Sequence, residues 1–489
     1  MDLFIQLEAS PAFPCRWRVD KLAWSERGGP RLARLSTDPR ERLPLPPDER
    51  PAALAALLGR PLTVYDGEGE PVWWGYVHAV EVPVRGARLG WSLSGLANRV
   101  AVVYEERPPD MDWLARPAVT GWVENAASVA RYGRKERRVH LPPASPAQAE
   151  AAALSWLERL SSPQPALMHG GPGQRGLRLE ARGWWETLDW VYYAQPAGLV
   201  GYTGGGAVTL NIGYSTTYRE YLQAFSPEQA WSASELWVTI GRSGVPDDEL
   251  EISLVRWNGS AVTETLALWR RTAELTPNAR SWMRLDVDPP LPLQPGAGYG
   301  VRLRRTGAVS SSAYWHTGAA RDPSVPGGLY EWSGTAWVPS TRAEAMVFRL
   351  SGERGALEQA ADLLRPEKGG QFFSAVSLPP GSGPSLGLYR SGENTALHEL
   401  KALLDAGDDR GRRLLARVDP GRQLVIHPLP GEDQAELQMA PGGQLCDLYG
   451  RPAPLRERAA GRRVLLGGQP AYVTEEEWTP RSGRVLWFG

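Results

Sequence analysis

Aromatic side chains in the middle of the chain are the residues whose type and position favour binding chemistry. Exposed flat rings on a β-sheet stack on sugar rings, and a neighbouring Asn or Asp side chain hydrogen-bonds sugar hydroxyls. The alternative is that these rings cover a sheet or contact another subunit. The candidate ligand-binding residues are Trp237, Trp257, Trp315, His316, Tyr330, Trp332 and Trp337.

Patterns for catalysis and metal binding are weaker. No nucleophile and acid can be assembled around His316, which favours a structural histidine or one at the edge of a ligand. The acidic cluster Asp247–Glu251 follows a turn, where carboxylate oxygens suit calcium. It lacks the repeated spacing of a calcium loop, so a solvated turn is the preferred interpretation.

Glycine-rich and basic stretches do not indicate nucleotide binding. The segments Gly170–Gly173 and Gly201–Gly206 lack both the strand–loop–helix context and a following Gly-Lys-Ser/Thr. The basic run Arg131–Arg138 is short and contains Glu136, which favours a solvated turn. No pair of carboxylates stands out for glycoside hydrolysis. We therefore expect a protein that is not an enzyme, with no catalytic residue, metal or cofactor.

Composition excludes several other classes. The 489 residues include 54 basic and 55 acidic side chains, for a net charge of −1, which does not favour nucleic acid as a partner. No apolar run approaches the roughly 18 residues of a membrane span, and the N-terminus lacks the pattern of a secretion signal. Two cysteines, Cys15 and Cys446, exclude a disulfide scaffold. Tryptophan is unusually abundant, with 21 residues against 7 phenylalanines.

The elements that would position the aromatic residues are short strands separated by turns. Their spacing predicts an all-β sandwich of jelly-roll type over residues 205–351. Alternation within residues 235–240 directs Leu236, Val238 and Ile240 inward and Trp237 outward. The predicted strands are 207–212, 235–240, 250–255, 281–287, 300–305 and 345–350.

Residues on either side of the sandwich share a mixed α and β character. Leu62–Tyr65 and Val72–Val77 form a hairpin pattern, and a second hairpin is predicted between residues 413 and 427. Ser145 is a predicted N-cap for a helix that ends at Leu160, with Leu154, Leu157 and Leu160 at helical spacing. A later helix ends at Gly407.

The predicted fold class is therefore α+β and β, with a barrel-like mixed body split by an inserted all-β sandwich. Length alone favours about three domains. The predicted segments are a barrel-like domain at 1–110, an α+β part at 111–204, the sandwich at 205–351 and the rest of the body at 352–489.

The two outer segments resemble the hub proteins of phage tail tips and baseplates. The resemblance covers roughly residues 50–195 and 353–430. It rests on the order and the residue patterns of these segments: Asp66–Gly69, Val72–Val77, Ser92–Leu96, Val129–Gly133, the helix from Ser145, Gly183–Leu188, the helix that ends at Gly407 and the hairpin Leu414–Ile426. The inserted sandwich is similar to carbohydrate-binding jelly rolls of tail proteins, through Phe225–Pro227 and Gly328–Trp332.

The resemblance implies a structural protein located at the tail tip of a virion. Such hubs are homotrimers that connect the tail tube and the distal tail protein to a tip or spike. The sandwich would then contact a host-surface glycan or another tail protein. The inserted sandwich departs from the simple hub pattern, so the chain is either the hub itself or a neighbouring receptor-binding tail protein. A purely adhesive protein and a polysaccharide-degrading enzyme are further alternatives.

Overall fold

The computed structural model describes residues 3–8, 16–38, 49–84, 87–106, 116–169, 176–195, 199–202, 208–228, 230–321, 327–387, 390–429, 435–440 and 444–488. Cys15 and much of Gly170–Gly173 and Gly201–Gly206 lie outside these ranges. Contacts divide the chain into two compact units. The first comprises residues 1–193, 356–384 and 392–489, and the second comprises residues 194–355 and 385–391.

Most of the regular structure is β-strand, which confirms that the fold is β-rich, as the sequence predicts. The strands of the first unit are Phe4–Leu7, Trp17–Ser25, Arg27–Thr37, Pro61–Tyr65, Pro71–Val84, Ala87–Ser92, Arg99–Glu106, Arg116–Val119, Val123–Glu124, Glu136–His140, Pro165–His169, Arg178–Arg182, Ala375–Ser377, Leu414–Val418, Gln423–Pro428, Leu437–Met439, Leu445–Asp447, Arg463–Leu466, Gln469–Thr479 and Gly483–Phe488. Strands Tyr192–Gln195 and Arg390–Thr395 lie where the chain passes from one unit to the other.

A 16-stranded sheet that curls into a half-barrel is the main structure of the first unit. Its predicted hairpin is confirmed, since Leu62 lies opposite Gly75 and Val64 opposite Trp73 in an antiparallel pair. The predicted second hairpin is also confirmed, with Leu414–Val418 antiparallel to Gln423–Pro428. Val64 and Trp73 are fully buried, and residues 72–78 are buried on both faces of their strand.

The helices of the described residues are Arg50–Ala55, Ala126–Tyr132, Pro146–Leu160, Ala356–Leu363 and Ala396–Ala406. The predicted start at Ser145 is confirmed, because its hydroxyl accepts from the Gln148 amide in a capping box. The predicted buried face of this helix is only partly right. Ala149, Ala153 and Leu157 are buried, an i, i+4, i+8 row, whereas Leu154 is 57% exposed. Small alanines let the helix approach strand Arg99–Glu106 on that row.

Short 3₁₀ helices span Leu93–Gly95, Trp184–Trp190, Thr216–Tyr218 and Ala273–Leu275. The sequence predicts strands around residues 184–193, and this prediction is wrong for Trp184–Trp190. The Thr187 hydroxyl donates to the Trp184 carbonyl at 2.6 Å, which stabilises a turn in place of extended backbone. The turn buries Trp184, Trp185 and Trp190 together, which an alternating strand would place on opposite faces.

The second unit contains two antiparallel sheets. Its strands are Leu199–Tyr202, Val208–Ile212, Glu220–Phe225, Trp231–Ser243, Leu250–Trp257, Val262–Arg271, Ser281–Leu293, Tyr299–Arg305, Tyr314–Ala320, Leu329–Trp332, Trp337–Pro339, Ala345–Met346, Phe348–Gly355 and Ser385–Gly387. Six of them form one sheet in the order Val262–Arg271, Leu250–Trp257, Tyr299–Arg305, Glu220–Phe225, Leu329–Trp332 and Trp337–Pro339. The other eight strands form the second sheet.

A shared hydrophobic core joins the inner faces of these two sheets. Leu236, Val238 and Ile240 belong to it from the eight-stranded sheet and are fully buried, as the alternation predicts. Leu250 and Leu254 belong to it from the six-stranded sheet. Side chains at the intervening positions of both sheets therefore face outward, and these outward faces carry the candidate residues.

No helix in the described ranges is long and apolar enough to cross a membrane.

Candidate functional site

The outward face of the six-stranded sheet gathers part of the predicted aromatic set. Alternation along Glu220–Phe225 buries Tyr221 and Phe225 in the core and leaves Leu222 on the outward face. Leu222 lies opposite Tyr330 in the antiparallel pair with Leu329–Trp332. Trp257, at the end of its strand, packs on the same outward face with Leu222.

Four aromatic rings form a continuous group there, which we call the aromatic cluster. It consists of Trp257, Tyr330, Trp332 and Trp337. The ring centroids of Trp257 lie 5.0 Å from Tyr330 and 6.1 Å from Trp337. Trp332 lies 5.5 Å from Trp337, its partner across the last hairpin of the sheet. Tilted and edge-to-face contacts of this kind stabilise aromatic pairs and fix the orientation of the rings.

A cleft of about 590 Å³ lies in the first unit and is not lined by these rings. Another depression, of about 520 Å³, lies beside Trp257 and Tyr330. We call the latter the glycine cleft, because glycines form much of its wall: Gly259, Gly296, Gly298, Gly327 and Gly328. A Cβ atom added to Gly298 would lie 2.1 Å from the Trp257 carbonyl oxygen, and one added to Gly328 would lie 3.3 Å from the Tyr330 ring. The missing side chain at Gly328 therefore leaves space beside the Tyr330 ring, and Gly298 allows its segment to approach the Trp257 backbone closely.

The polar atoms of these four rings form no hydrogen bond with other described residues. Trp257 is 7% exposed and the other three rings are half-buried. The side-chain oxygen of the adjacent Asn258 accepts from the Ser260 amide at 3.0 Å and from the Ala261 amide at 2.8 Å. That oxygen holds the turn, so only the amide group of Asn258 can donate to a ligand.

Three other predicted residues lie on the eight-stranded sheet, apart from the aromatic cluster. Trp315 is fully buried in the sandwich core, which leaves no ring face for a ligand. His316 is half-buried opposite Gly241, and burial lowers the pKa of its imidazole. Trp237 lies on the outward face, where its indole N–H donates to Glu235 at 3.2 Å. The predicted set is therefore divided between two sheets.

The acidic cluster of this unit has a structural role. Asp248 accepts from the Arg305 guanidinium at 2.9 Å and shields it from solvent together with the carbonyls of Gly213 and Ala313. Arg305 is only 1% exposed, so its charge requires this partner. Within the described ranges, no group of three His, Cys, Asp or Glu side chains is placed to hold a metal ion.

A second cleft, in the first unit, holds titratable residues that the sequence did not single out. Its volume is about 370 Å³, and His78, Ser94, Lys135, Arg182 and Glu186 are among the residues that line it. Nε2 of His78 lies 2.9 Å from the Ser94 hydroxyl. Nδ1 is buried without a hydrogen-bond partner in the described residues. This pair therefore lacks the acid that orients the imidazole of a Ser–His–Asp triad.

Burial shifts the pKa values in this second cleft. Desolvation, followed by the charges of Arg182 and Lys135, lowers the pKa of His78 to about 3. Desolvation also lowers the pKa of Lys135 to about 8 and raises the pKa of Glu186. These residues come from two strands, two 3₁₀ helices and the residue before strand Glu136–His140, so no local spacing in the sequence reveals the cluster. A neutral His78 shares a hydrogen bond with the Ser94 hydroxyl throughout the physiological pH range.

Comparison with known proteins gives no relative for this chain. No protein-family model matches the sequence, and no curated protein matches it. Among solved structures, the mosquito-larvicidal Cry4Aa toxin from Bacillus thuringiensis has a TM-score of 0.17 and 7% identity, over 70% of this chain and 58% of the toxin chain. The VP2 subviral particle of infectious bursal disease virus has a TM-score of 0.15 and 8% identity, over 70% of this chain and 81% of that chain. Likeness at this level carries no argument about fold or function.

Proposed function

We propose that this chain is a structural, non-enzymatic protein of a phage tail tip, and that its sandwich unit binds a glycan of the host surface. The observation that carries the binding part is the aromatic cluster beside the glycine cleft. Aromatic rings grouped beside a surface cleft favour an interaction site. Flat rings suit the apolar face of a sugar ring.

Polar atoms around the cluster complement the hydroxyl groups of a sugar. The indole N–H groups of Trp257, Trp332 and Trp337 form no hydrogen bond with the described residues, and they are donors only. The Asn258 amide adds a further donor at the rim. A site with unpaired donors and apolar ring faces binds a ligand that has both hydroxyl acceptors and apolar C–H groups.

The described lining of the glycine cleft favours binding over hydrolysis. None of the described residues that form it carries a carboxylate. Glycoside hydrolysis requires two carboxyl groups across the scissile bond, about 5–10 Å apart. We therefore propose that the sandwich holds a glycan without cleaving it.

The tail-tip part of the proposal rests on the resemblance of the outer segments to tail hubs. A β-rich first unit assembled from segments before and after the sandwich is compatible with it. We expect a homotrimer whose partners are the tail tube, the distal tail protein and the tip or spike. Light scattering of the purified chain at micromolar concentration tests this expectation, with a trimer as the predicted mass and a stable monomer as the contradicting result.

Binding is tested separately by applying the purified full chain to a glycan array. We expect saturable binding to a restricted set of glycans. Absence of binding to every glycan, by a chain that melts cooperatively, would overturn the glycan part and leave the trimer test unaffected.

A further inference from the structure

An arginine-rich cleft of about 590 Å³ lies in the first unit, and neither part of the proposed function uses it. It is lined by residues of the strands Trp17–Ser25, Leu414–Val418 and Gln423–Pro428 and of the segment 456–463. The charged side chains in its lining are Glu26, Arg417, Glu436, Arg456, Arg458, Arg462 and Arg463. Cations therefore outnumber carboxylates in the described lining.

Arg458 is the central feature of this arginine cleft. Its guanidinium lies over the Trp74 ring, 4.5 Å from the ring centroid. The ring is held in place because its indole N–H donates to the Val418 carbonyl at 2.8 Å. Gly29, at φ 72°, leaves room for the guanidinium, since an added Cβ would lie 3.2 Å from its Nη1. A fixed aromatic surface thus orients the planar guanidinium.

The donors of this guanidinium are not used by the described residues. No hydrogen bond or ion pair joins the Arg458 side chain to another residue in the described ranges. The buried carboxylate of Glu476 attracts it electrostatically. Its Oε1, however, forms an ion pair with Arg484 at 3.2 Å, and its Oε2 accepts from the Ala459 amide at 2.7 Å. Arg458 therefore presents a planar set of donors with no protein acceptor.

Neighbouring arginines differ, because carboxylates already hold them. Arg417 pairs with Asp419 at 3.4 Å, and Arg462 pairs with Glu436 at 3.2 Å. Arg456 pairs with Glu68 and with Asp66. Burial lowers the pKa of Arg458 to about 10, which leaves it charged at neutral pH. The side-chain nitrogens of Arg458 remain accessible from the cleft, so an anion that enters it can take up their hydrogen bonds.

We propose that the arginine cleft binds an oxyanion, a carboxylate or phosphate group that takes up the free donors of Arg458. A planar guanidinium binds either group through two parallel hydrogen bonds. The excess of arginine over glutamate in the described lining adds electrostatic attraction for an anion. The cleft has room for a multivalent anion or for an acidic side chain presented by another protein segment.

Isothermal titration of the full chain tests this proposal, with three probes at matched ionic strength. The probes are inorganic phosphate, citrate and a tetra-glutamate peptide, and sodium chloride serves as the reference. We expect saturable binding of at least one probe and at least tenfold weaker binding to Arg458→Gln. Binding of the peptide alone would assign the anion to a protein segment, and binding of phosphate or citrate would assign it to a small molecule.

A matched control separates this site from general charge effects. Arg451 belongs to the same unit, is exposed and pairs with Asp447 at 2.7 Å outside the cleft. Arg451→Gln should bind the probes as the unaltered protein does. Arg458→Lys should bind them with intermediate affinity, because lysine keeps the positive charge but lacks the parallel N–H donors of the planar guanidinium. Equal binding by Arg458→Gln and Arg451→Gln, or no saturable binding of any probe, would overturn the proposal. Thermal melting of each variant shows that the chain is folded.

Discussion

The rings of Trp257 and Tyr330 lie 5.0 Å apart although their strands are not neighbours in the sheet. Strands Tyr299–Arg305 and Glu220–Phe225 run between them. At the crossing these strands contribute Gly300 and Ala224, which lie opposite each other. Small residues there allow the two large rings to close over the sheet. The glycines are therefore part of the site as much as the aromatic residues are.

Replacing one of these glycines tests how tightly the site is built. In Gly298→Ala the new methyl group would lie 2.1 Å from the Trp257 carbonyl oxygen, so the backbone has to shift. We expect the free energy of unfolding to fall by about 1–3 kcal/mol, the cost of overpacking, as measured by urea denaturation.

Gly387→Ala is the matched control for this change. Gly387 belongs to the same unit, and an added Cβ there meets no atom within 4 Å. It should change stability by no more than about 0.5 kcal/mol. Equal stability of the two variants would contradict the geometry described for the glycine cleft.

The Asp248–Arg305 ion pair gives a prediction about the sandwich fold. Removing the carboxylate in Asp248→Asn takes away the close, buried counter-ion of the 1%-exposed Arg305 guanidinium. We expect the sandwich to lose about 3–5 kcal/mol of stability, as for other broken buried pairs. Denaturation followed by tryptophan fluorescence measures this loss.

The neighbouring Asp247 provides the comparison. Its side chain is 94% exposed and lies 3.7 Å from Arg305. Exposed pairs contribute little, so Asp247→Asn should leave the denaturation midpoint almost unchanged. A larger loss in Asp247→Asn than in Asp248→Asn would refute the structural role given to Asp248.

His78 makes the stability of the first unit depend on pH. Its folded pKa of about 3 lies below the value of about 6.5 expected in the unfolded chain. The unfolded state therefore binds a proton first as the pH falls, and stability decreases from about pH 6.5 towards pH 3. Each pH unit in this window costs up to about 1.4 kcal/mol.

His78→Gln isolates this effect from other titrating groups. The amide keeps a polar partner for Ser94 and does not titrate. We expect its stability to fall less steeply than that of the unaltered protein between pH 6.5 and 4, when both are followed by urea denaturation. Parallel pH profiles would show that His78 is accessible to protons in the folded state.

Local patterns in the sequence predicted much of the fold. The turn Asp66–Gly69 between two strand-forming segments specifies the hairpin, and Ser145 specifies a helix start through its own hydrogen bond. Inward positions such as Leu236 follow from period-two alternation. Strand Glu220–Phe225 was missed, because residues on both of its faces are apolar and it has no simple alternation.

The candidate site was predicted less completely, because it depends on the order of strands in the sheet. The aromatic composition pointed to Trp257, Tyr330, Trp332 and Trp337, and the structure brings these four together. Nothing in the local sequence of Trp315 distinguishes a core ring from a surface ring. Gly298 and Gly328 were missed because their role arises only when distant strands pack.

The binding of a glycan by the aromatic cluster is the central claim. Its most direct test is titration of the best glycan from the array into the full chain and into Trp332→Ala/Trp337→Ala. Trp282→Ala is the control, since Trp282 is 43% exposed on the eight-stranded sheet. We predict at least tenfold weaker binding, or ~1.4 kcal/mol, for the double variant and unchanged binding for Trp282→Ala. Unchanged binding by a folded double variant would contradict the claim.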